Sequence, residues 1–318
     1  FPQRRPRGPF TTPRPATFVS ANVYRLANPV LNTGTVTVAA RVGDAVGATQ
    51  AVSISNASPD LFTEGLKVNI AGTSGNAQYN GGSIANLGAQ GTDASSIRVG
   101  LVSTATAGTT SGQVQLDFVS TGAGTTGAAD LGVGAGTVTV TGKVYTPAQA
   151  QITGTTIDFG IVHVGDAVGP IALNVANVAP ATALNDTLKA SFGAISGPFN
   201  GSGAIAGLAA GASDGTSMQV GLNTVTAGVF NGAGSVELAS HNDDMADLML
   251  DPADLILSAQ VNNYANPVFT KTGGAGSLTR SGDAFSLDLG DLLLGSGATS
   301  ASLGVLNDVF GPADLLDG

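Results

Sequence analysis

Short runs of alternating apolar and polar residues recur along this chain and predict β-strands. Clear examples lie at 35–39, 114–118 and 137–141. Alternation with a period of two places one face of a strand in a core and the other in water. Clusters of Gly, Asn, Asp and Pro separate the runs, as turns require. Only 246–253, where acids mix with Leu and Met, predicts a short helix, which Pro252 would limit.

The same pattern occurs twice, and a third copy begins near the end of the sequence. The hexapeptide Val-Gly-Asp-Ala-Val-Gly stands at 42–47 and again at 164–169, an offset of 122. Val99-Gly-Leu returns at 220–222, and a weaker echo of 173–177 appears at 303–307, an offset of 130. Matches in constant order at nearly constant offset indicate tandem repeats.

About seven short strands per repeat predict an all-β protein of tandem immunoglobulin-like antiparallel β-sandwiches. The predicted organisation is a basic Pro/Arg-rich arm (1–16), a first sandwich (17–145), a second (146–264) and an incomplete third (265–318). If the native chain ends near Gly318, an extended segment of a neighbouring subunit, such as 17–30, is expected to complete the third copy. If the chain continues, simple tandem stacking is expected instead.

The composition favours an extracellular protein. Hydrophobic residues make up 42% of the chain, so a core can form, but charged residues make up only 11%, against roughly 25% in an ordinary soluble domain. The resulting Thr-, Ser- and Gly-rich surface is typical of secreted β-repeat proteins. Cys is absent, which excludes disulfides and thiolate zinc sites. No run of 18 apolar residues predicts a transmembrane helix.

A basic arm precedes an acidic body. Arg4, Arg5, Arg7 and Arg14 lie among the prolines of the first 15 residues, before the first acid, Asp44. Such a segment is expected to be extended and polyproline-like. It is either a linker or an interaction arm that docks on the acidic body of a neighbouring copy. The acidic body itself would repel nucleic acid.

The densest acidic group is the one candidate for a metal. Asp243, Asp244 and Asp247 offer the hard oxygen ligands that Ca²⁺ prefers, but their spacing fits no EF-hand loop. A solvated acidic loop is therefore the favoured interpretation, with a calcium site as the alternative.

Nothing in the sequence predicts an enzyme or a bound cofactor. The only histidines, His163 and His241, occupy non-equivalent positions in the repeats, and His163 is expected to be a solvated strand residue. No Gly-x-Ser-x-Gly motif accompanies them, so no catalytic triad is predicted. The Gly-rich runs at 122–127 and 132–136 precede a strand and not a helix, which favours inter-strand loops over phosphate loops.

One stretch resembles a known family. Residues 156–165, with the sequence Thr-Ile-Asp-Phe-Gly-Ile-Val-His-Val-Gly, and the strand 173–177 that ends in Asn are similar to the choice-of-anchor D type repeats of bacterial surface proteins. That family is related to the immunoglobulin-like ASH and MSP-type sandwiches. The resemblance implies an extracellular, non-enzymatic building block.

These observations predict a structural protein of the bacterial cell surface or extracellular matrix, a subunit of a fibre, layer or stalk. Its expected partners are copies of itself and other cell-surface components. Thr-rich edge strands with few Lys could accept a strand from another subunit. The alternative is an adhesin or carbohydrate-binding module, although sugar sites commonly need aromatic platforms and the chain has four Tyr and no Trp.

Overall fold

A computed structural model describes residues 1–5, 8 and 16–317, and every regular element in them is a β-strand. The first repeat contains β1 (Pro29–Leu31), β2 (Thr35–Arg41), β3 (Gly47–Ala51), β4 (Ile54–Asn56), β5 (Gly65–Gly75), β6 (Gln78–Tyr79), β7 (Ile84–Leu87), β8 (Thr92–Asp93), β9 (Arg98–Leu101), β10 (Gly108–Thr121) and β11 (Leu131–Tyr145). The second contains β12 (Ala150–Thr153), β13 (Thr156–His163), β14 (Ile171–Ala172), β15 (Asn174–Asn177), β16 (Thr187–Ile195), β17 (Phe199–Ser202), β18 (Ala204–Leu208), β19 (Ser213–Asp214), β20 (Gln219–Leu222), β21 (Gly228–His241) and β22 (Leu248–Asn262). The third contains β23 (Pro267–Gly274), β24 (Ser277–Ser281), β25 (Ala284–Asp288) and β26 (Ala301–Asn307).

The first two repeats share one sheet topology. A five-stranded sheet has the order β2-β11-β10-β5-β7 in the first and β13-β22-β21-β16-β18 in the second. Short three-stranded sheets complete each sandwich: β1-β4-β8 and β3-β9-β6 in the first, β12-β15-β19 and β14-β20-β17 in the second. The predicted all-β class of tandem sandwiches is confirmed.

One strand pair of the second repeat departs from the antiparallel rule. β13 runs parallel to β22, with Ile157 opposite Leu257 and His163 opposite Asn262. The other strand pairs of the second repeat are antiparallel. A parallel pair needs a long connection, and here the whole repeat lies between the two strands.

The alternating residues form the two cores, as the pattern predicts. In the first repeat Leu66, Val68, Leu116 and Val140 are fully buried. In the second repeat the core includes Leu173, Val175, Leu188, Val236, Leu255 and Leu257. Aliphatic side chains fill most of both cores, which agrees with the low aromatic content.

The third repeat is a small pair of two-stranded sheets, β23-β26 and β24-β25. Strand β24 has no counterpart between β12 and β13, and the residues that it adds account for the larger offset of the third copy. Phe269 of β23 meets Phe285 of β25 edge to face, with ring centroids 5.4 Å apart.

The chain divides into two compact units. The first consists of Phe1–Val38, Ala45–Thr104 and Thr110–Gly142; the second of Ala39–Asp44, Ala105–Thr109 and Lys143–Gly318. The third repeat therefore belongs to the same unit as the second. The segment 39–44, which ends β2, is also part of the second unit.

The expectation of a helix at 246–253 is wrong. Residues 248–253 begin β22, where Val236 pairs with Ala253 and Leu238 with Leu250. Pro252 lies in the register shift between those pairs, where its missing N–H removes no ladder bond. Within the described residues, no helix is long and apolar enough to cross a membrane.

Candidate functional site

A polar cluster recurs near the start of each repeat, buried in the first two repeats and half-buried in the third, and we call it the junction cluster. Its members are Asn56, Glu64 and Ser120 in the first repeat; Asn177, Asp186 and Ser240 in the second; and Asn307 and Asp314 in the third. The members in the first two repeats are at most 5% exposed. Buried polar groups need partners, so the bonds of this cluster define it.

The asparagine joins the first segment of the repeat to a strand. Asn177 accepts a bond from the backbone amide of Gln149, and its side-chain amide donates to the carbonyl of Leu208. The first of these bonds recurs in all three repeats, at 2.9, 3.1 and 2.8 Å in order. The side chain of one asparagine thus supplies two hydrogen bonds at the point where the strands separate and their backbones no longer pair directly.

The serine and the acid form the second part of the cluster. Ser240 Oγ accepts a bond from the amide of Ala148 (2.8 Å) and donates one to Asp186 Oδ2 (2.7 Å). Ser120 makes the equivalent bond to Glu64 Oε2 in the first repeat, also at 2.7 Å.

In the second repeat the acid also binds an arginine. Arg41, from the segment 39–44 of the second unit, places Nε 2.6 Å from Asp186 Oδ2, and the two residues are 7% and 0% exposed. The guanidinium also donates to the carbonyls of Ser240 and Ala246. A buried ion pair is stable only when its remaining donors and acceptors are satisfied, and Asn242, which donates to Asp186 Oδ1 at 2.7 Å, helps to satisfy them.

In the third repeat the acid binds a histidine. His163 Nε2 lies 2.8 Å from Asp314 Oδ2, and its ring stacks on Tyr264 with centroids 4.4 Å apart and planes 5° apart. The other ring nitrogen lies 3.5 Å from Asp166. The expectation of a solvated histidine is therefore wrong, because Tyr264 and Asp314 follow β22 in the chain and return to cover the end of β13.

Arg41 and His163 occupy the same position in their repeats. Each precedes a Val-Gly-Asp turn whose aspartate amide donates back to it, Asp44 to Arg41 (3.0 Å) and Asp166 to His163 (3.1 Å). The repeated hexapeptide was evident in the sequence, but the role of the basic side chain directly before it was missed. A basic residue type directly before the repeated turn was the available signal. The acidic partners are separated from it by more than a hundred residues and carried no local signal.

Asp244, one of the three candidate calcium ligands, forms an ion pair with a lysine. Lys143 Nζ lies 2.9 Å from Asp244 Oδ2, and the Tyr145 hydroxyl donates to the same oxygen. These two bonds, the lysine first, hold the pKa of Asp244 below its ordinary value.

The other two candidate ligands, Asp247 and Asp243, have different neighbours. Asp247 accepts bonds from His241 Nδ1 (2.6 Å) and Lys189 Nζ (3.0 Å), and these bonds lower its pKa. Asp243 has a fully exposed side chain, with His241 Nε2 3.6 Å away. In the part of the chain that the structure describes, no three acidic or histidine side chains are grouped to hold a metal ion.

The arginine arm is described only in part. Arg4 and Arg5 are exposed, whereas Arg7 and Arg14 lie outside the described residues. The role of these four arginines in an interaction therefore stays a prediction.

The bond between Tyr145 and Asp244 gives a testable titration. This bond is the largest cause of the rise in the pKa of Tyr145 from 10.0 to about 12, followed by burial and the nearby negative charge of Asp244. Because the folded value is the higher one, the stability that this bond contributes is complete below pH 10 and lost as the pH rises through 12. Replacing Asp244 by Asn is expected to return the pKa of Tyr145 toward 10. Ultraviolet titration against a Tyr145→Phe reference measures it.

The adjacent substitution Asp243→Asn is the matched control for this titration, because Asp243 affects Tyr145 only through a weak, more distant charge. An equal shift in both variants would contradict the assignment to the hydrogen bond.

No protein-family model and no curated protein sequence matches this chain. Among solved structures, mouse cadherin-23 EC22-24 is 11% identical, with 79% of this chain and 72% of that chain covered at a TM-score of 0.32. Human protocadherin-24 EC1-2 is 9% identical (76% and 100% covered, TM-score 0.31). The fibronectin(III)-like modules of Clostridium thermocellum CbhA are 10% identical (74% and 95% covered, TM-score 0.24). At these identities and TM-scores, none of the three assigns a family or a function.

Proposed function

We propose that this chain is a non-enzymatic structural protein of the bacterial cell surface or extracellular matrix, which assembles with copies of itself into a fibre, layer or stalk. The observation that carries the proposal is the threefold recurrence of the junction cluster. The residues that most resemble a functional constellation are used to connect segments of the fold, since Arg41 binds Asp186 and His163 binds Asp314. A chain whose repeated polar side chains bond one segment of the fold to another is suited to a mechanical role.

The surface supports the same proposal. The chain carries 11% charged residues, so most exposed strand positions hold Thr, Ser, Gly or small apolar residues. Lysines on edge strands normally prevent strand pairing between molecules, and the edge strands of this chain have few lysines. The residues 156–165 and 173–177, which resemble the choice-of-anchor D repeats, agree with an extracellular building block.

Assembly of the purified chain is the expected result. Negative-stain electron microscopy should show linear or sheet-like assemblies, and sedimentation velocity should show mass that increases with protein concentration. Monodisperse monomers at all concentrations would contradict the proposal. Specific binding to a glycan array by those monomers would favour the adhesin or carbohydrate-binding alternative.

A further inference from the structure

A groove of about 310 Å³ lies on the outer face of the five-stranded sheet of the second repeat. Small apolar side chains line much of it, namely Ala204 and Ala206 of β18 and Ala239 of β21. Met249 of β22, which is 66% exposed, lines it as well. The polar residues of the lining are Lys189, Ser191, Glu237 and Asp247. The groove therefore offers an apolar surface beside charged side chains.

Three carboxylates in or beside this groove have no basic partner within the described residues. The lysine of the lining is bound to Asp247 at 3.0 Å, whereas no ion pair includes Glu237, Asp251 or Asp254. All three are exposed. Asp254 lies opposite the residue two places before Glu237 in the register of β21 and β22, so these charges share one face of the sheet. The border of the groove therefore carries negative charge that the chain does not neutralise.

The first repeat forms the equivalent strand without these acids. β11 and β22 have 15 residues each and almost the same pattern of buried and exposed positions. Gly134 and Thr137 of β11 stand where β22 carries Asp251 and Asp254. Since all four positions are exposed and the strand forms with either set, the sandwich does not need the two acids for its fold. Their presence in one repeat indicates a role on the surface.

The Pro/Arg-rich arm has the complementary composition. Residues 1–16 contain four arginines, five prolines and no acid. Arg4 and Arg5 are exposed, and in the part of the chain that the structure describes no ion pair includes either of them. An arginine can donate two parallel hydrogen bonds to a carboxylate, and proline rings offer apolar contact with little conformational entropy to lose. The arm thus matches both the apolar lining and the acidic border.

We propose that the arm of one copy binds in this groove of a second copy, with its prolines against the alanines and its arginines on Glu237 and Asp254. The inference rests on the proposed self-assembly and names the two surfaces that carry it. The arm and the groove are different surfaces of one chain, so the contact is heterologous, and each copy that receives an arm still presents its own. Such contacts continue from copy to copy and build a filament when they do not close into a ring.

A charge reversal in the groove provides the first test. Glu237→Lys is expected to weaken self-association about 10-fold or more, because it places like charges together. Asp117→Lys is the matched control, since Asp117 is the exposed tenth residue of β10 as Glu237 is of β21, and the net charge changes equally. The control should associate like the unmodified chain, as sedimentation velocity over a range of concentrations measures. Equal weakening in the two variants would assign the effect to net charge and contradict the proposal.

Mixing supplies the decisive measurement. The arm variant Arg4→Glu, Arg5→Glu and the groove variant Glu237→Lys, Asp254→Lys should each assemble more weakly than the unmodified chain. All four residues are exposed, so the fold is expected to persist, which circular dichroism checks. In an equimolar mixture the acidic arm meets the basic groove and the unmodified arm meets the unmodified groove, so assembly should be restored.

The outcomes separate this inference from the proposed function. If the unmodified chain assembles and the groove variant assembles equally, or if the mixture assembles no better than either variant alone, the pairing is wrong while the structural function stands. If the unmodified chain does not assemble at any concentration, both are wrong.

Discussion

Replacing Asp186 by Ala should destabilise the second unit by about 3–5 kcal/mol, because it leaves the guanidinium of Arg41 buried without a counter-charge. Arg41 is 7% exposed and cannot turn to solvent without disturbing the segment 39–44. Ser240 and Asn242 lose their acceptor in the same change. The free energy of unfolding from urea titration, followed by circular dichroism, measures this effect.

Two further variants test whether the loss of stability in Asp186→Ala comes from the buried ion pair. Asp60→Ala removes the partner of an exposed ion pair with Arg25 and is expected to change stability by no more than about 1 kcal/mol. The double substitution Arg41→Met, Asp186→Leu removes both charges together and should recover much of the lost stability. An Asp186→Ala protein as stable as the Asp60→Ala protein would show that the buried ion pair does not hold the segment.

Replacing Asn177 by Ala should destabilise the same unit by about 2–4 kcal/mol, since it leaves buried backbone groups unpaired. The side chain is fully buried, and it accepts from the amides of Gln149 and Ala179 and donates to the carbonyl of Leu208. Thermal unfolding should show a lower Tm for this unit.

Asn174 gives the matched control for Asn177, because it lies on the same strand and is exposed, with one long bond to Thr153. Asn174→Ala should change the stability by less than about 0.5 kcal/mol. Equal effects at 174 and 177 would rule out a structural role for the junction cluster.

The junction cluster was only partly visible in the sequence. The repeated Val-Gly-Asp turns were evident at 42–47 and 164–169, yet the residues before them differ, Arg41 in one and His163 in the other. Their acids, Asp186 and Asp314, are 145 and 151 residues away in the chain. A single sequence contains no rule that pairs side chains over such distances, so the cluster emerged only from the fold.

The acidic loop received more weight from its sequence than its structure supports. Its density of carboxylates made Asp243, Asp244 and Asp247 the candidate for a metal. The sequence shows these acids but does not show which basic side chains contact them in the fold. The tertiary structure directs Asp244 to Lys143 and Asp247 to Lys189 and His241. Local density was therefore a poor guide to the partners of each side chain.

The helix expected at 246–253 failed for a related reason. Acids mixed with Leu and Met resemble one face of a helix when the segment is considered alone. Pairing with β21 adds a ladder of backbone bonds and buries Leu255 and Leu257 in the same strand. Weak local propensity is overridden by such long-range pairing.

The alternating pattern was enough to predict the all-β class, the strand-rich repeats and the aliphatic character of their cores. Those properties depend on a period of two and on turn residues, which are local. The parallel pairing of β13 with β22 and the contact of Arg41 with Asp186 became visible only in the folded chain. Each of these depends on which distant segments meet, and that is fixed by the packing of the whole repeat.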